Sequence, residues 1–373
     1  MVYTHRNYLV DMTIKKAILT GGGRATRLRP ITATINKHLL PLAGKPMIFH
    51  AIEKVVAAGI EEIFINLNPG DTTLPEIIGS GDKWGISITY FEQTGGPQGI
   101  AHVVNEAHKF IDDDPFMFYL SDNIILDGVD KMVKEFGSGE FDCMLALSKV
   151  PDPERFGVPV FDESGALMRV DEKPENPASD FAVTGIYLYG PKIFFEAFGK
   201  ATKSTRGEYE ISDIHTTFLT EGKNVGYQEI TGWWKDTGKP DDLIIASRLL
   251  LEAMPKNAFS QMSDMNGAKV EGSVQIGKNV VFGSNVELYG PVIIADGCHL
   301  ENCVIGPDVT LGVGTSVRGG ARIGNSIVLD AADINCPLTI AGSMIGNNVQ
   351  IKKRPDDASV HSMIVGDKTV IEY

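Results

Sequence analysis

Ala17-Ile18-Leu19, followed by Gly21-Gly22-Gly23-Arg24-Ala25-Thr26-Arg27-Leu28-Arg29-Pro30, reads as a buried strand running into a glycine turn that carries cations. Glycines let backbone N–H groups approach a ligand that a Cβ would block, and Arg24, Arg27 and the nearby Lys37 supply charged donors. A glycine-rich turn alone is more often just a turn. Basic residues gathered beside it tip the reading toward a polyphosphate cradle, because they would otherwise repel one another. Two familiar cradles do not fit: no G-x-x-x-x-G-K-[ST] loop occurs, and Gly21-x-Gly23-x-x-Thr26 lacks the third glycine of the dinucleotide fingerprint.

Outward from this turn the chain alternates β-rich and helical runs. Met47 to Ala58 reads as a helix ended by Gly59, Ile63 to Leu67 as a strand, Ile86 to Phe91 as another, Ile100 to Phe110 as a helix and Phe116 to Leu120 as a strand. That rhythm predicts an α/β fold, a Rossmann-like, mainly parallel sheet with helices on both faces, whose ligands collect at the carboxyl ends of the strands. Gly21 to Gly23, Gln93 and Asp122-Asn123 each follow a predicted strand, so one rim should gather them.

After the helical Asp241 to Met254 and a polar stretch, the period changes. Val270, Ile276, Phe282, Leu288 and Ile294 recur every six residues, as do Ile305, Leu311, Val317 and Ile323, and after an irregular patch Ile345 and Ile351 resume the spacing. This predicts a left-handed parallel β-helix of about five coils, each hexapeptide forming one face of a triangular prism. The organisation expected is a 1–12 extension, an α/β domain over 13–254, a linker over 255–267 and the β-helix over 268–373. Such β-helices often carry acyltransferases, but here the only histidines are His299 and His361, neither with a neighbouring constellation that would make it a general base. Assembly and stability are the expected roles of this half.

The 373 residues, 43% hydrophobic and 22% charged, suit two or three globular domains. A formal charge of −14 argues against a nucleic acid polymer as partner, since backbone binding needs a broad excess of Lys and Arg. Cys143, Cys298, Cys303 and Cys336 show neither zinc nor disulfide spacing and read as small core residues in a reducing cytoplasm. No apolar run reaches transmembrane length, and no membrane partner is expected.

Several residues carry candidate chemistry, each with a plainer alternative. Asp122 in Leu120-Ser121-Asp122-Asn123 and Asp236 in Trp233-Trp234-Lys235-Asp236-Thr237-Gly238 could each be a turn former; beside a triphosphate cradle the pair points to a Mg²⁺ site. Asp171-Glu172-Lys173-Pro174 could be a solvated loop, Arg206-Gly207-Glu208-Tyr209-Glu210 a helix start, and Val183-Thr184-Gly185 an ordinary strand.

In order along the chain, however, these motifs resemble the sugar-1-phosphate nucleotidylyltransferases. The resemblance rests on Gly-Gly-Gly-x-Ala-Thr-Arg-Leu-x-Pro, Asn36-Lys37-x-Leu-Leu-Pro, Lys45-Pro46-Met47-Ile48, Leu120-Ser121-Asp122-Asn123, Arg155-Phe156-Gly157, Glu172-Lys173-Pro174, Ala182-Val183-Thr184-Gly185 and Trp234-Lys235-Asp236-Thr237-Gly238. It spans nearly all of residues 14–373, and the thymidylyltransferase branch with an appended left-handed β-helix is the most similar. The resemblance implies transfer of a nucleotidyl group from a nucleoside triphosphate to a sugar 1-phosphate, with Mg²⁺ and with release of pyrophosphate, in a cytoplasmic homo-oligomer assembled through the β-helix. It implies that Arg27 holds the β- and γ-phosphates and Lys37 the phosphates near the reacting centre. Gly21, Gly22, Gly23, Gln93 and Gly99 then bind the nucleotide, Gln93 at the base edge. Asp122 and Asp236 match metal ligands, Gly157, Glu172, Val183 and Thr184 the sugar pocket, and Lys173 and Arg206 the cations on the sugar phosphate. Uridylyl transfer, a second acetyltransferase activity and a non-catalytic regulatory role are the alternatives. Three departures stand out: Ala25 where glycine is usual, Phe156 where tyrosine is common, and a Gln93–Gly99 loop one residue longer.

Overall fold

The computed structural model describes residues 12–255 and 265–353. The expected 1–12 extension, except Met12, most of the 255–267 linker, and His361 lie outside the described residues. By internal contacts the chain divides into two compact units. One runs to Arg24 and resumes from Ile48 to Trp234; the other joins Ala25–Met47 to the chain from Lys235 onward.

The first unit is built on a nine-stranded sheet. Its strands are β1 (Lys16–Thr20), β2 (Glu62–Leu67), β3 (Ser87–Glu92), β4 (Phe116–Tyr119), β5 (Cys143–Lys149), β6 (Gly157–Phe161), β7 (Leu167–Glu172), β8 (Phe181–Tyr189) and β9 (Val225–Glu229). The order is β7-β6-β8-β4-β1-β2-β3, with β5 pairing both β8 and β9. From β4 through β1 and β2 to β3 all pairings are parallel; β8 turns the sheet, running antiparallel to β4, β5 and β6. The near-continuous burial of β1 and β4 is that of parallel strands covered on both faces. Among the helices are α1 (Met47–Ala57), α2 (Ile100–Glu106) and α3 (Ile211–Thr220). The helix expected over Ile100 to Phe110 is two pieces, α2 and a single turn at His108–Ile111, meeting at Ala107.

Tyr189, Phe116, Phe194 and Phe218 fill the core of this unit, and the fully buried His215 sits among them. Its Nε2 lies 2.9 Å from the Tyr189 hydroxyl, while Nδ1 has no partner among the described residues. Burial pushes the imidazole down to about 3, so the folded state keeps it neutral while the unfolded chain protonates it near pH 6.5. The unfolded state therefore binds the extra proton between pH 6.5 and about 3, and stability falls with pH across that window. In urea titrations, His215→Phe is expected to flatten the acid side of the stability curve by about 1.4 kcal/mol per pH unit relative to wild type. An unchanged slope would mean that the imidazole is charged in the core.

In the second unit, three all-parallel sheets of five strands each form the left-handed β-helix. One comprises Lys269–Glu271, Val286–Tyr289, Cys303–Ile305, Arg322–Gly324 and Thr339–Ala341; a second begins at Val274–Ile276 and a third at Val281–Phe282. The registers explain the irregular patch. Val270 pairs with Leu288, eighteen residues on, whereas Leu288 pairs with Ile305, Ile294 with Leu311 and Leu311 with Val328, seventeen on. A corner shortened by one residue shifts the six-residue count without breaking the coil. Cys298, Cys303 and Cys336 pack inside this core and Cys143 in the sheet core; all four are buried and unpaired. Helix α4 (Pro240–Glu252) also belongs to this unit.

Candidate active site

The carboxyl ends of β1, β2 and β3 form a continuous rim, since Thr20 pairs with Asn66 and Leu67 with Glu92. Gly21 passes so close to β2 that a Cβ would stand 2.7 Å from the Asn66 carbonyl oxygen, whereas the Cβ direction of Gly23 opens to free space. The sequence suggested that the glycine amides face a ligand. Instead the Gly21 N–H donates to Asn66 Oδ1 at 3.0 Å and the Gly23 N–H to Asn68 Oδ1 at 2.8 Å. The loop thus offers an open flank rather than a full set of donors. Nothing in the local sequence marks Asn66 and Asn68, which hold its shape.

Gln93 continues the same rim past β3, its N–H donating to the Leu67 carbonyl at 3.3 Å. Its loop is tied to α2 and to the segment before α3. The Thr94 N–H donates to Glu106 at 2.8 Å, and the Tyr209 N–H to the Gln98 carbonyl at 2.8 Å, which brings Gly99 against Tyr209.

Asp122 follows β4 in a turn organised by Asn123. The Asn123 amide donates to Asp122 Oδ1 at 3.0 Å, while its own Oδ1 accepts from the Gly185 N–H at 3.1 Å and from Trp234 Nε1 at 2.7 Å. One buried side chain therefore orients the carboxylate and ties its turn to β8 and the indole. Asn123→Ala would leave two donors unpaired and is expected to cost about 2 kcal/mol in urea unfolding, with Trp234 fluorescence reporting the loosened ring. Phe156 meets the same indole edge-on at 5.0 Å, with the Arg155 guanidinium 5.3 Å from its ring centroid.

The residues expected around the sugar come together on β6, β7 and β8. Gly157 pairs with Glu172 on one side and Val183 on the other. Glu172 accepts from the Ser212 hydroxyl at 2.6 Å and lies 3.0 Å from Lys173 Nζ and 3.4 Å from the Arg206 guanidinium. Burial opposes its charge, but that hydroxyl and the two cations win and hold the carboxyl below the usual range. Arg206 also grips Glu210, at 2.7 and 3.1 Å. Thr184 differs from the rest: it is fully buried and its hydroxyl donates to the Ala146 carbonyl at 2.9 Å, so the side chain serves the sheet.

The second unit carries Arg27, Lys37 and Asp236. Arg27 is exposed on a short turn anchored by the buried Leu28. Preceding it, Ala25 adopts φ 43°, a left-handed conformation that accounts for glycine being usual there. Lys37 starts a second turn, held by Asn36, whose side chain accepts from the His38 N–H at 3.0 Å, and by the buried Leu39. A Cβ on Gly238 would stand 3.1 Å from Asp236 Oδ2 and 3.2 Å from an Arg27 guanidinium nitrogen. The Asp236 carboxylate and the Arg27 guanidinium thus converge on the bare Cα of Gly238, an approach that a side chain there would crowd.

A parallel sheet with ligand-type residues along its carboxyl rim, followed by a β-helix, defines an α/β nucleotide-handling protein. The Nucleotidyl transferase family model matches residues 16–253, and the chain belongs to that family. The GMPPB C-terminal domain model matches residues 288–372. The chain is 36% identical to the glucose-1-phosphate thymidylyltransferase of Streptomyces antibioticus, covering 96% of this chain and 99% of the relative. It is also 36% identical to the low-salt glycan biosynthesis nucleotidyltransferase Agl11 of Haloferax volcanii, over 91% and 95%. A solved Bacillus anthracis structure assigned as a glucose-1-phosphate thymidylyltransferase, in complex with sucrose, superposes with a TM-score of 0.60 at 36% identity, covering 66% of this chain and 97% of that one.

Proposed function

We propose that this chain transfers a thymidylyl group from dTTP to glucose 1-phosphate, giving dTDP-glucose and pyrophosphate. The similarity to thymidylyltransferases over almost the full length of both chains carries the reading. The clustering of Glu172, Lys173 and Arg206 beside Gly157 and Val183 supports it.

The reaction is one in-line displacement. A phosphate oxygen of the sugar 1-phosphate forms a bond to the α-phosphorus as the bond to the bridging oxygen of the departing pyrophosphate breaks. Lys173 and Arg206 hold the attacking phosphate, Arg206 exchanging part of its grip on Glu210 for it. Glu172, ionised in this setting, accepts from sugar hydroxyls beside Gly157, Val183 and the Thr184 backbone. Arg27 takes the β- and γ-phosphates, Lys37 the phosphates near the reacting centre, and Gly21–Gly23, Gln93 and Gly99 the nucleoside. No nucleophile on the protein is required, because positioning and charge stabilisation lower this kind of barrier.

Asp122 and Asp236 are the proposed ligands of a Mg²⁺ ion. Both offer hard carboxylate oxygen, the donor type Mg²⁺ takes, in a number that suits an ion completed by phosphate oxygens and water. When bound, such an ion neutralises charge developing on the phosphate oxygens.

Among the described residues no helix is long and apolar enough to cross a membrane. The reading places the enzyme in the cytoplasm with its substrates, as a homo-oligomer assembled through the β-helix. A pyrophosphate-release panel of dTTP, UTP, ATP, CTP and GTP against glucose 1-phosphate and N-acetylglucosamine 1-phosphate tests the assignment. The highest kcat/KM is expected for dTTP with glucose 1-phosphate. UTP differs by one methyl group, worth about 1–3 kcal/mol in a pocket, and a clear preference for UTP or a purine nucleotide would overturn the assignment.

A further inference from the structure

The loop at the base edge holds a hydrogen-bonded trio that this catalytic scheme does not use. The amide nitrogen of Gln93 lies 3.4 Å from Nδ1 of His102 on α2, and that of Gln98 lies 3.3 Å from Nε2. The imidazole is steadied from the side, stacked on Tyr209 at 6.2 Å and tilted against Phe198 at 6.4 Å. An uncharged imidazole accepts at one ring nitrogen and donates at the other. The two amides must therefore meet it with opposite ends, one offering its NH₂ and the other its carbonyl. An amide nitrogen stands at each ring nitrogen, so one of the two amides is turned; a Gln93 that reads thymine or uracil needs its carbonyl for N3–H, which leaves its NH₂ for Nδ1 and sets Nε2–H against the Gln98 carbonyl.

This arrangement fixes which way round Gln93 presents its remaining polar edge. A primary amide turned by half a revolution exchanges donor for acceptor. In one orientation its carbonyl accepts from N3–H and its NH₂ donates to O4 of thymine or uracil. Reversed, the same amide matches N3 and the amino group of cytosine equally well. A glutamine free to turn would serve both kinds of base.

We propose that His102 is a positioning residue for base selection, holding the Gln93 amide in the orientation that accepts thymine and uracil and refuses cytosine. It acts through Gln93 alone. The proposal rests on the function above, in which Gln93 meets a pyrimidine base.

The test compares full-length wild type, His102→Asn and His102→Asp in pyrophosphate release with dTTP, UTP and CTP. Asparagine can offer Gln93 either end of its own amide, so the CTP-to-dTTP ratio of kcat/KM is expected to rise about tenfold, mainly through KM. Aspartate has only acceptors; it keeps the Gln93 NH₂ turned toward it and is expected to restore a ratio near that of wild type. The dTTP-to-UTP ratio should be the same in all three, since the methyl group lies off the hydrogen-bonding edge. An asparagine variant with the wild-type CTP-to-dTTP ratio would overturn the proposal, and so would an aspartate variant relaxed as far as the asparagine one, which would mean that the ring merely packs. Wild type that turns over neither dTTP nor UTP would also overturn it, and is distinguished as a failure of the underlying function because it precedes any substitution.

Discussion

Pyrophosphate release by Lys173→Ala is expected to fall by about 10²-fold, about 3 kcal/mol of transition-state stabilisation, with most of the loss in kcat. The geometry explains why this cation should matter more than its neighbour. Arg206 is gripped by Glu210 through two nitrogens and faces Glu172 as well, whereas Lys173 Nζ contacts Glu172 at 3.0 Å on a side chain that is 49% exposed. The backbone aims it: Lys173 has φ 47° and its N–H donates to the Phe156 carbonyl at 2.9 Å, which turns the chain out of β7 beside Gly157. A cation so placed can follow the charge of the attacking phosphate without first breaking a bidentate pair. Alanine leaves the strand and its neighbours in place, so unchanged circular dichroism should accompany the loss. Release at the wild-type rate would remove Lys173 from the chemistry.

The parts of this molecule legible in the sequence are those that depend on period and on neighbours along the chain. The buried strands β1, β2 and β4 show as apolar runs from Ala17, Ile63 and Phe116, and the β-helix shows as a six-residue repeat; only its shortened corners, as between Leu300 and Ile305, hide part of the series. Contacts across strands are not legible in that way. Asn66 and Asn68 serve glycines 45 residues earlier, and Asn123 serves Gly185 and Trp234 far downstream. Nothing local distinguishes them from any other polar residue after a strand. Thr184 shows the converse: a hydroxyl in a suggestive motif is turned by the alternation of β8 onto Ala146. The His102 trio escapes notice for the same reason, since Gln93 and Gln98 meet the ring only once the loop has folded back on α2.

Deleting residues 256–373 is expected to lower kcat/KM by about 10²-fold even where the nine-stranded sheet remains folded, because it removes the support of a cationic loop. From sequence alone the β-helix is expected to affect oligomeric state more than chemistry. The contacts within the second unit argue for more. Ala25–Met47, which carries Arg27 and Lys37, clusters with the chain from Lys235 onward. A Cβ on Gly44 would stand 3.0 Å from Ile293 on an outer face of the β-helix, and one on Gly346 would stand 3.6 Å from Ile31. Helix α4 fastens the same loop through the Ser247 hydroxyl, which accepts from the Ala43 N–H at 3.2 Å. Arg27 and Lys37 thus belong to a segment that meets the β-helix at Ile31 and Gly44, and a displacement of about 1 Å at a phosphate contact is enough to cost about 10²-fold in rate. Ile293→Asp separates this role from assembly. It sets a carboxylate against Gly44 without shortening the chain, and is expected to lower kcat/KM about tenfold with the sedimentation profile unchanged. Full activity in Ile293→Asp, together with full activity per folded site in the truncated chain, would return the β-helix to a purely assembling role.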